Sequence, residues 1–486
     1  MAFSIERLAP ELLLEILVLI PDPASLHNFI VASPFAYRIF NRYALEIFMS
    51  VLISPETTIE TRSTIEMMAH LRSRLRYFPD RIKSLADLGR ICPLSPSLYR
   101  GHVRIVPPHD APMANPRLKQ IYLVQGTSLP PKMPISILRS LLADAAGIQR
   151  LTHLCLADLL YRLSQVQFKR AAGPLPDTLQ PSDVSSVATE PYTPRLDTQA
   201  SWAEAHRISR TGWRLLLLRD LQRAALAGVF STQGWSKEDK LKVRNADMKI
   251  LFNLKTPADR LDINTVNPRE WLYHEAHTFL DWLGVSMPRN HGPGAIADRW
   301  NGGVPYTSRN AALVPTSLPD LPAILVAKGA EQHPGKIRAS LSVGSRTDQA
   351  AVEMKDTVAY ANPGFLDYAE LCSLPDSLLK FTTFKPFRRL GLAIWDRQRL
   401  EQDLLLHVHG HVSFQAAKPI VAQALRPLFV QWDSILSPEE RAEAEGRRAD
   451  RLELEALKTR DRQPGRAEAN RELHLMAELE THRRLE

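Results

Sequence analysis

A chain of 486 residues, 44% hydrophobic and 23% charged, has the composition of a globular protein with room for roughly two to four domains. Its 36 prolines outnumber its 21 glycines, which argues for many helix starts and stiff loops and against a glycine-rich phosphate-binding enzyme, and aromatics at 7% do not favour a base-stacking surface. A net charge of +8 is modest over this length and locates no partner by itself, while three scattered cysteines, Cys92, Cys155 and Cys372, fit a reducing compartment and no zinc or disulfide framework.

The first fifty residues set the character of the chain. Pro10 suits the first position of a helix, because its missing N–H has no intrahelical partner there, and Glu11 and Glu15 sit near the positive end of the helix dipole. Leu12, Leu13, Ile16, Leu17 and Ile20 read as one apolar stripe, with Leu14, Val18 and Leu19 covering much of the other side. Asp22-Pro23 and Ser33-Pro34 are two more capped starts. The helices that follow show Leu26, Phe29 and Ile30, then Phe35, Ile39 and Phe40. So small a three-helix unit with surplus apolar surface is expected to dock on something.

The run Leu8, Pro10, Glu11, Leu12, Ile16, Leu17, Pro21, Leu26, Ala32, Ser33 and Phe40 resembles an F-box, the module that hooks a substrate receptor onto the Skp-type adaptor of SCF ubiquitin ligases. Ala9 stands where that family commonly has proline, and Pro10 follows it. The resemblance covers roughly residues 4–50. It implies adaptor contacts from Leu8, Pro10, Leu12, Ile16, Leu17, Leu26 and Phe29, with Leu13, Ile30 and Phe40 holding the helices together. It also implies partners: the adaptor, the cullin/RING ligase behind it, and a target protein that the sequence does not name.

Further along, Ser54-Pro55-Glu56 reads as another helix start, leading to Ile65, Met68, Leu71 and Leu75 at helical spacing. Six prolines between 92 and 116 mark irregular chain. Residues 134–166 read as two packed helices broken at Gly147. Residues 173–200, rich in Pro, Ser, Thr and Asp, read as a flexible insertion, either disordered or a long loop.

Helical pattern resumes over 202–230, at a small capping box of Ser236 and Asp239, and at Asn267-Pro268. Residues 286–350 are loop-rich. Helices are expected again over 365–374 and from Ser377 to about Leu406. Within the latter, 387–400 is similar to a segment recurring in fungal F-box-type proteins, and reads as a helix with Leu390, Ile394 and Trp395 buried and its arginines solvated. After Pro438 a strongly charged stretch suits a solvent-exposed helix, with too few leucines for a heptad seam.

The chemistry-bearing patterns are thin. His274-Glu275-Ala276-His277 misses the zinc-protease helix, whose ligands need i and i+4 spacing. His407, His409 and His411 would share one face of a strand, but no further ligand is placed beside them. There is no GxSxG elbow, Walker loop or dinucleotide fingerprint, and no repeat at solenoid or propeller period. No catalytic residue, cofactor or metal is therefore expected, and the chain is read as a non-enzyme.

The expected fold is mainly α: a three-helix F-box at 1–52, a helical region at 53–172, the insertion at 173–200, an irregular helical body at 201–436 with long proline-rich loops, and a charged helical tail at 437–486. The opening segment has no basic leader, and the run Leu12–Ile20 is too short to span a bilayer and contains Glu15, so a cytoplasmic or nuclear protein is expected. The expected role is a substrate receptor without a membrane, with nucleic acid not favoured. A non-catalytic helical scaffold, or an adaptor-bound protein outside any ligase, is the alternative.

Overall fold

Proline opens each of the first three helices. α1 (Pro10–Val18), α2 (Pro23–Ala32) and α3 (Pro34–Arg42) all place it in the first turn. Asp22 Oδ1 accepts the N–H groups of Ala24 and Ser25, each at 2.9 Å, and Ser33 Oγ accepts that of Ala36 at 3.2 Å. The computed structural model describes residues 8–54, 56–73, 84, 129–173, 188–194, 200–231, 234–244, 268–283, 363–373, 377–396, 398–404, 428 and 430–461. Among them the chain is mostly helical, with two short strands.

A fourth helix, α4 (Ala44–Ile53), joins the first three, where the sequence suggested three. Its start has no side-chain cap, and its burial of Ile47, Phe48, Val51 and Leu52 is what holds it. Ser54, expected to begin the next helix, instead ends α4, and its hydroxyl donates to the Pro21 carbonyl. α5 (Ile59–Arg72) starts from Thr58, whose Oγ1 accepts the N–H of Thr61 at 3.2 Å. Ile65, Met68 and Leu71 are buried along it.

The two helices expected over 134–166 are one 30-residue helix, α6 (Ile135–Ser164). Glycine inside a helix costs about 1 kcal/mol relative to alanine. The burial of Ile148, Leu151, Leu156 and Leu159 beyond Gly147 outweighs that. α6 is the beam of the fold: α2, α4 and α5 pack on it, and α7 (Trp202–Leu226) packs on both α5 and α6. α7 opens with a complete capping box of Ser201 and Glu204. It also supports α8 (Lys237–Arg244) and α9 (Pro268–Leu283).

Part of the expected insertion is ordered. β2 (Thr189–Tyr192) pairs antiparallel with β1 (Phe168–Ala171), in the register Phe168↔Tyr192 and Arg170↔Glu190. Buried Phe168 and the Tyr192 ring lie 5.5 Å apart and anchor the ribbon. Both edges are closed to further strands. On the β1 edge the Lys169 N–H donates to Ser434 Oγ at 3.2 Å, so Lys169 and its opposite number Pro191 form a non-hydrogen-bonded pair. The Pro191 nitrogen then faces outward on the β2 edge with no proton to offer.

The C-terminal part departs furthest from expectation. α10 (Pro363–Ser373) is helical as anticipated, but the run from Ser377 is a 3₁₀ turn at Leu378–Phe381, a single turn α11 (Lys385–Arg388), a reversal, and a π turn at Arg399–Asp403. Gly391 forces the reversal: its φ is +81°, and a Cβ there would lie 2.7 Å from the Trp395 ring. Leu390, Ile394 and Trp395 are buried as read, but Arg399 is buried too rather than solvated. Phe365, Tyr368, Phe384, Phe387 and Trp432 stack into one aromatic cluster, with centroid separations near 5 Å from Phe365–Phe384 at 5.2 Å to Phe387–Trp432 at 5.0 Å. α12 (Pro438–Asp461) docks its first turns on the 3₁₀ turn, with Arg447 donating to the Phe381 carbonyl at 2.9 Å.

The regions 92–116 and 286–350, together with 174–187, 195–199, Leu75, the histidines 407–411 and residues 462–486, lie outside the described residues.

Candidate functional site

Helical geometry divides the α1 leucines between two faces. Leu13 and Leu17 are fully buried against the other N-terminal helices. Leu12, Ile16 and Leu19 are 50%, 37% and 79% exposed, and half-buried Leu8 lies just before the helix, ahead of its N-cap Ala9. The spacing of 12, 16 and 19 puts these three on one outward stripe about two turns long. The single stripe expected from Leu12, Leu13, Ile16, Leu17 and Ile20 is thus split, because neighbours 100° apart cannot share a face.

The residues expected to meet an adaptor fall into two groups. Leu8, Pro10, Leu12 and Ile16 are wholly or partly accessible, and Phe29 is half-buried against the core. Leu17 and Leu26 have no exposed surface, so their place is inside the chain's own core and not on a docking surface. Leu19 was not singled out from the sequence as an outward residue. Its spacing from Leu12 and Ile16 is the signal that finds it.

The N-terminal helices are fixed to the body. α2 lies along α6, and below it Arg72 at the end of α5 binds three partners at once: Asp144 Oδ2 at 2.6 Å, Ser140 Oγ at 2.9 Å and Asp220 Oδ2 at 2.7 Å. Burial lowers the Arg72 affinity for its proton, but the two carboxylates more than reverse this and hold the guanidinium charged.

A second concentration of charge lies deeper, between α7, α9 and the 390–404 segment. Glu204 Oε1 accepts from Arg399 Nε at 2.8 Å and the Asp396 N–H at 3.1 Å, and Oε2 accepts from Arg399 Nη2 at 3.0 Å and the Ser201 N–H at 2.9 Å. Those four bonds occupy the acceptor sites of the carboxylate. Arg207 donates to the carbonyls of Ile394 and Trp395, the latter at 3.0 Å, and Arg210 donates to Glu275. Burial pushes both Glu204 and Glu275 up, and their arginines pull them back. This arrangement grips a loop through its backbone. Each of its carboxylates faces an arginine, Glu204 with Arg399 and Glu275 with Arg210.

His274 and His277 sit in the same buried layer. His274 stacks 4.3 Å from Phe365 and 4.9 Å from Phe384, and Glu275 between the two histidines serves Arg210. Among the described residues no three His, Cys, Asp or Glu side chains converge as a metal site, and no helix is long and apolar enough to cross a membrane.

No protein-family model, curated protein or solved structure matches this chain.

Set beside the buried charge layer, the outward stripe of α1 is the feature whose chemistry calls for a partner. Apolar side chains one-third to four-fifths in water, in register along a helix held firmly from behind, gain by burial against another apolar surface. At about 25 cal/mol per Å², covering a single leucine completely is worth roughly 1.5–3 kcal/mol.

Proposed function

We propose that this chain is a non-catalytic receptor whose N-terminal helices dock on a Skp-type adaptor in the manner of an F-box, and through it on a cullin/RING ubiquitin ligase, while the helical body holds a target protein. Such a receptor makes and breaks no bonds. It raises the effective concentration of target lysines near the ubiquitin-loaded conjugating enzyme. The observation that supports the reading is the outward row of Leu12, Ile16 and Leu19 on a helix whose other face is anchored by Leu13 and Leu17.

The test is direct binding of purified full-length protein to a Skp-type adaptor, compared with a Leu12→Ala, Ile16→Ala double variant. Both residues are exposed, so the variant keeps its fold by circular dichroism, and the expected result is tight binding by the wild type and loss in the variant. A well-folded wild type that does not bind ends the reading.

One observation favours a second reading, a helical scaffold that works outside any ligase. α2 is seated along α6, so the N-terminal helices are built into the body rather than appended to it. The folded Leu12→Ala, Ile16→Ala variant expressed in cells separates the two: a receptor's bound partner lives longer with the variant than with wild type, and a scaffold's partner does not.

A further inference from the structure

The outward face of α3 carries a different kind of surface, one that α1 and its partner do not explain. Ala36, Ile39 and Phe40 point inward, which leaves Phe35, Tyr37, Arg38 and Arg42 on the water side. Arg139 of α6 reaches over the end of this face and donates to the Tyr37 hydroxyl. Each arginine rests on an aromatic ring: Arg38 is 5.6 Å from the Phe35 centroid, Arg42 is 5.4 Å from that of Tyr43, and Arg139 is 5.4 Å from that of Tyr37. Among the described residues none of the three is in an ion pair, and α3 contains no acidic residue.

Stacking changes what these arginines can do. A guanidinium held over a ring has already given up part of its side-chain freedom, and it keeps N–H donors that a carboxylate can accept. Arg38 and Arg42 are one helical turn apart, about 6 Å. That separation suits successive carboxylates on a short acidic run. We propose that the face formed by Arg38, Arg42 and Arg139 binds an acidic segment of a protein partner.

Two features favour an acidic protein segment over a nucleic acid. The rings that would stack on bases have their faces covered by the chain's own arginines. The surroundings are also unfavourable to a long polyanion: within residues 8–54, Glu11, Glu15, Asp22 and Glu46 outnumber Arg38 and Arg42. A short acidic run meets only the local positive patch, whereas an extended phosphate backbone meets the carboxylates beyond it. The inference is independent of what covers α1.

The experiment titrates a fluorescent octaglutamate peptide, and separately an oligothymidylate of equal charge, into the full-length protein. Three folded variants are compared with wild type: Arg38→Gln, Arg42→Gln, Arg139→Gln; the same three positions to Lys; and a control, Lys132→Gln, Lys237→Gln, Arg244→Gln, that removes equal charge elsewhere. Expected is salt-sensitive peptide binding that falls about tenfold or more in the Arg→Gln triple and by a smaller factor in the Lys triple, while the control stays within about threefold of wild type. Equal losses in the control and the Arg→Gln triple mean that the peptide reads net charge alone, and the proposal falls. It falls as well if wild type ignores the peptide, or if the oligonucleotide binds more tightly through these same arginines.

Discussion

Arg72 and Asp220, 148 positions apart in sequence, meet at 2.7 Å and join the end of α5 to the middle of α7. Asp220 is nearly inaccessible, and its burial raises its proton affinity against the opposing pull of Arg72. Such a carboxylate depends on its guanidinium. Arg72→Met keeps the packing of the stem and strands both Asp220 and Asp144, so it is expected to cost about 3–5 kcal/mol in urea unfolding. Asp220→Asn in the same background should restore part of that loss. A cost within about 0.5 kcal/mol would show that water reaches the pair and screens it.

The leucines of α1 and α2 give a second test, because accessibility assigns them opposite roles. Leu17→Ala and Leu26→Ala each remove a fully buried side chain and are expected to cost about 2–5 kcal/mol of stability. Leu12→Ala changes stability by no more than about 0.5 kcal/mol, and its effect shows only when a partner is bound, at about 1–3 kcal/mol of affinity. If Leu12→Ala and Leu17→Ala destabilise equally, the division of α1 into two faces is wrong.

Which parts of this were legible in the sequence follows from the physics of each signal. Local signals carried well: Pro10, Pro23 and Pro34 mark helix starts, and Asp22, Ser33 and Ser236 act as caps in the structure. Fold class followed from them, and the described residues are mostly helical. Signals that depend on competing burial failed. Gly147 reads as a break until the leucines on both sides of it are seen to share one core, and Ala44–Ile53 has no cap to announce it. Apolar pattern also could not tell outward Leu12 from inward Leu17, since both are leucines on a helix apolar nearly all round. The Arg139–Tyr37 contact joins positions 102 residues apart and leaves no trace in local pattern.

Glycines at 364 and 391 offer a third prediction. A Cβ at 364 would lie 2.1 Å from the Leu392 carbonyl oxygen, and one at 391 would strike the Trp395 ring while its residue held φ at +81°. Neither neighbour can yield easily, because Trp395 is fully buried with its Nε1 donating to the Leu390 carbonyl at 2.7 Å. Gly391→Ala is therefore expected to cost upwards of about 2 kcal/mol, from the left-handed backbone and the overlap together. Gly446, exposed in α12 with open space around it, behaves oppositely. Gly446→Ala should gain about 0.5–1 kcal/mol by helix propensity, and thermal unfolding of the two variants reads the contrast in sign directly.

The last prediction concerns acid. His274 is buried against Phe365 and Phe384, and burial holds its imidazole well below the usual value of 6.5, with Arg388 and His277 adding to the effect. Burial lowers His70 in the same direction. The folded protein therefore holds fewer protons at these rings than the unfolded chain, which takes them up once the pH drops below 6.5. Unfolding then binds protons, so stability is fully present above 6.5 and falls as the pH drops from there. His274→Leu fills the aromatic slot without a titrating group, and the Thr278 hydroxyl keeps its bond to the backbone carbonyl of residue 274. The urea midpoint of this variant is expected to decline less steeply than that of wild type between pH 6.5 and about 5. Parallel slopes for the two proteins would mean that the imidazole is protonated equally in folded and unfolded chains, and that burial against Phe365 and Phe384 does not lower its proton affinity.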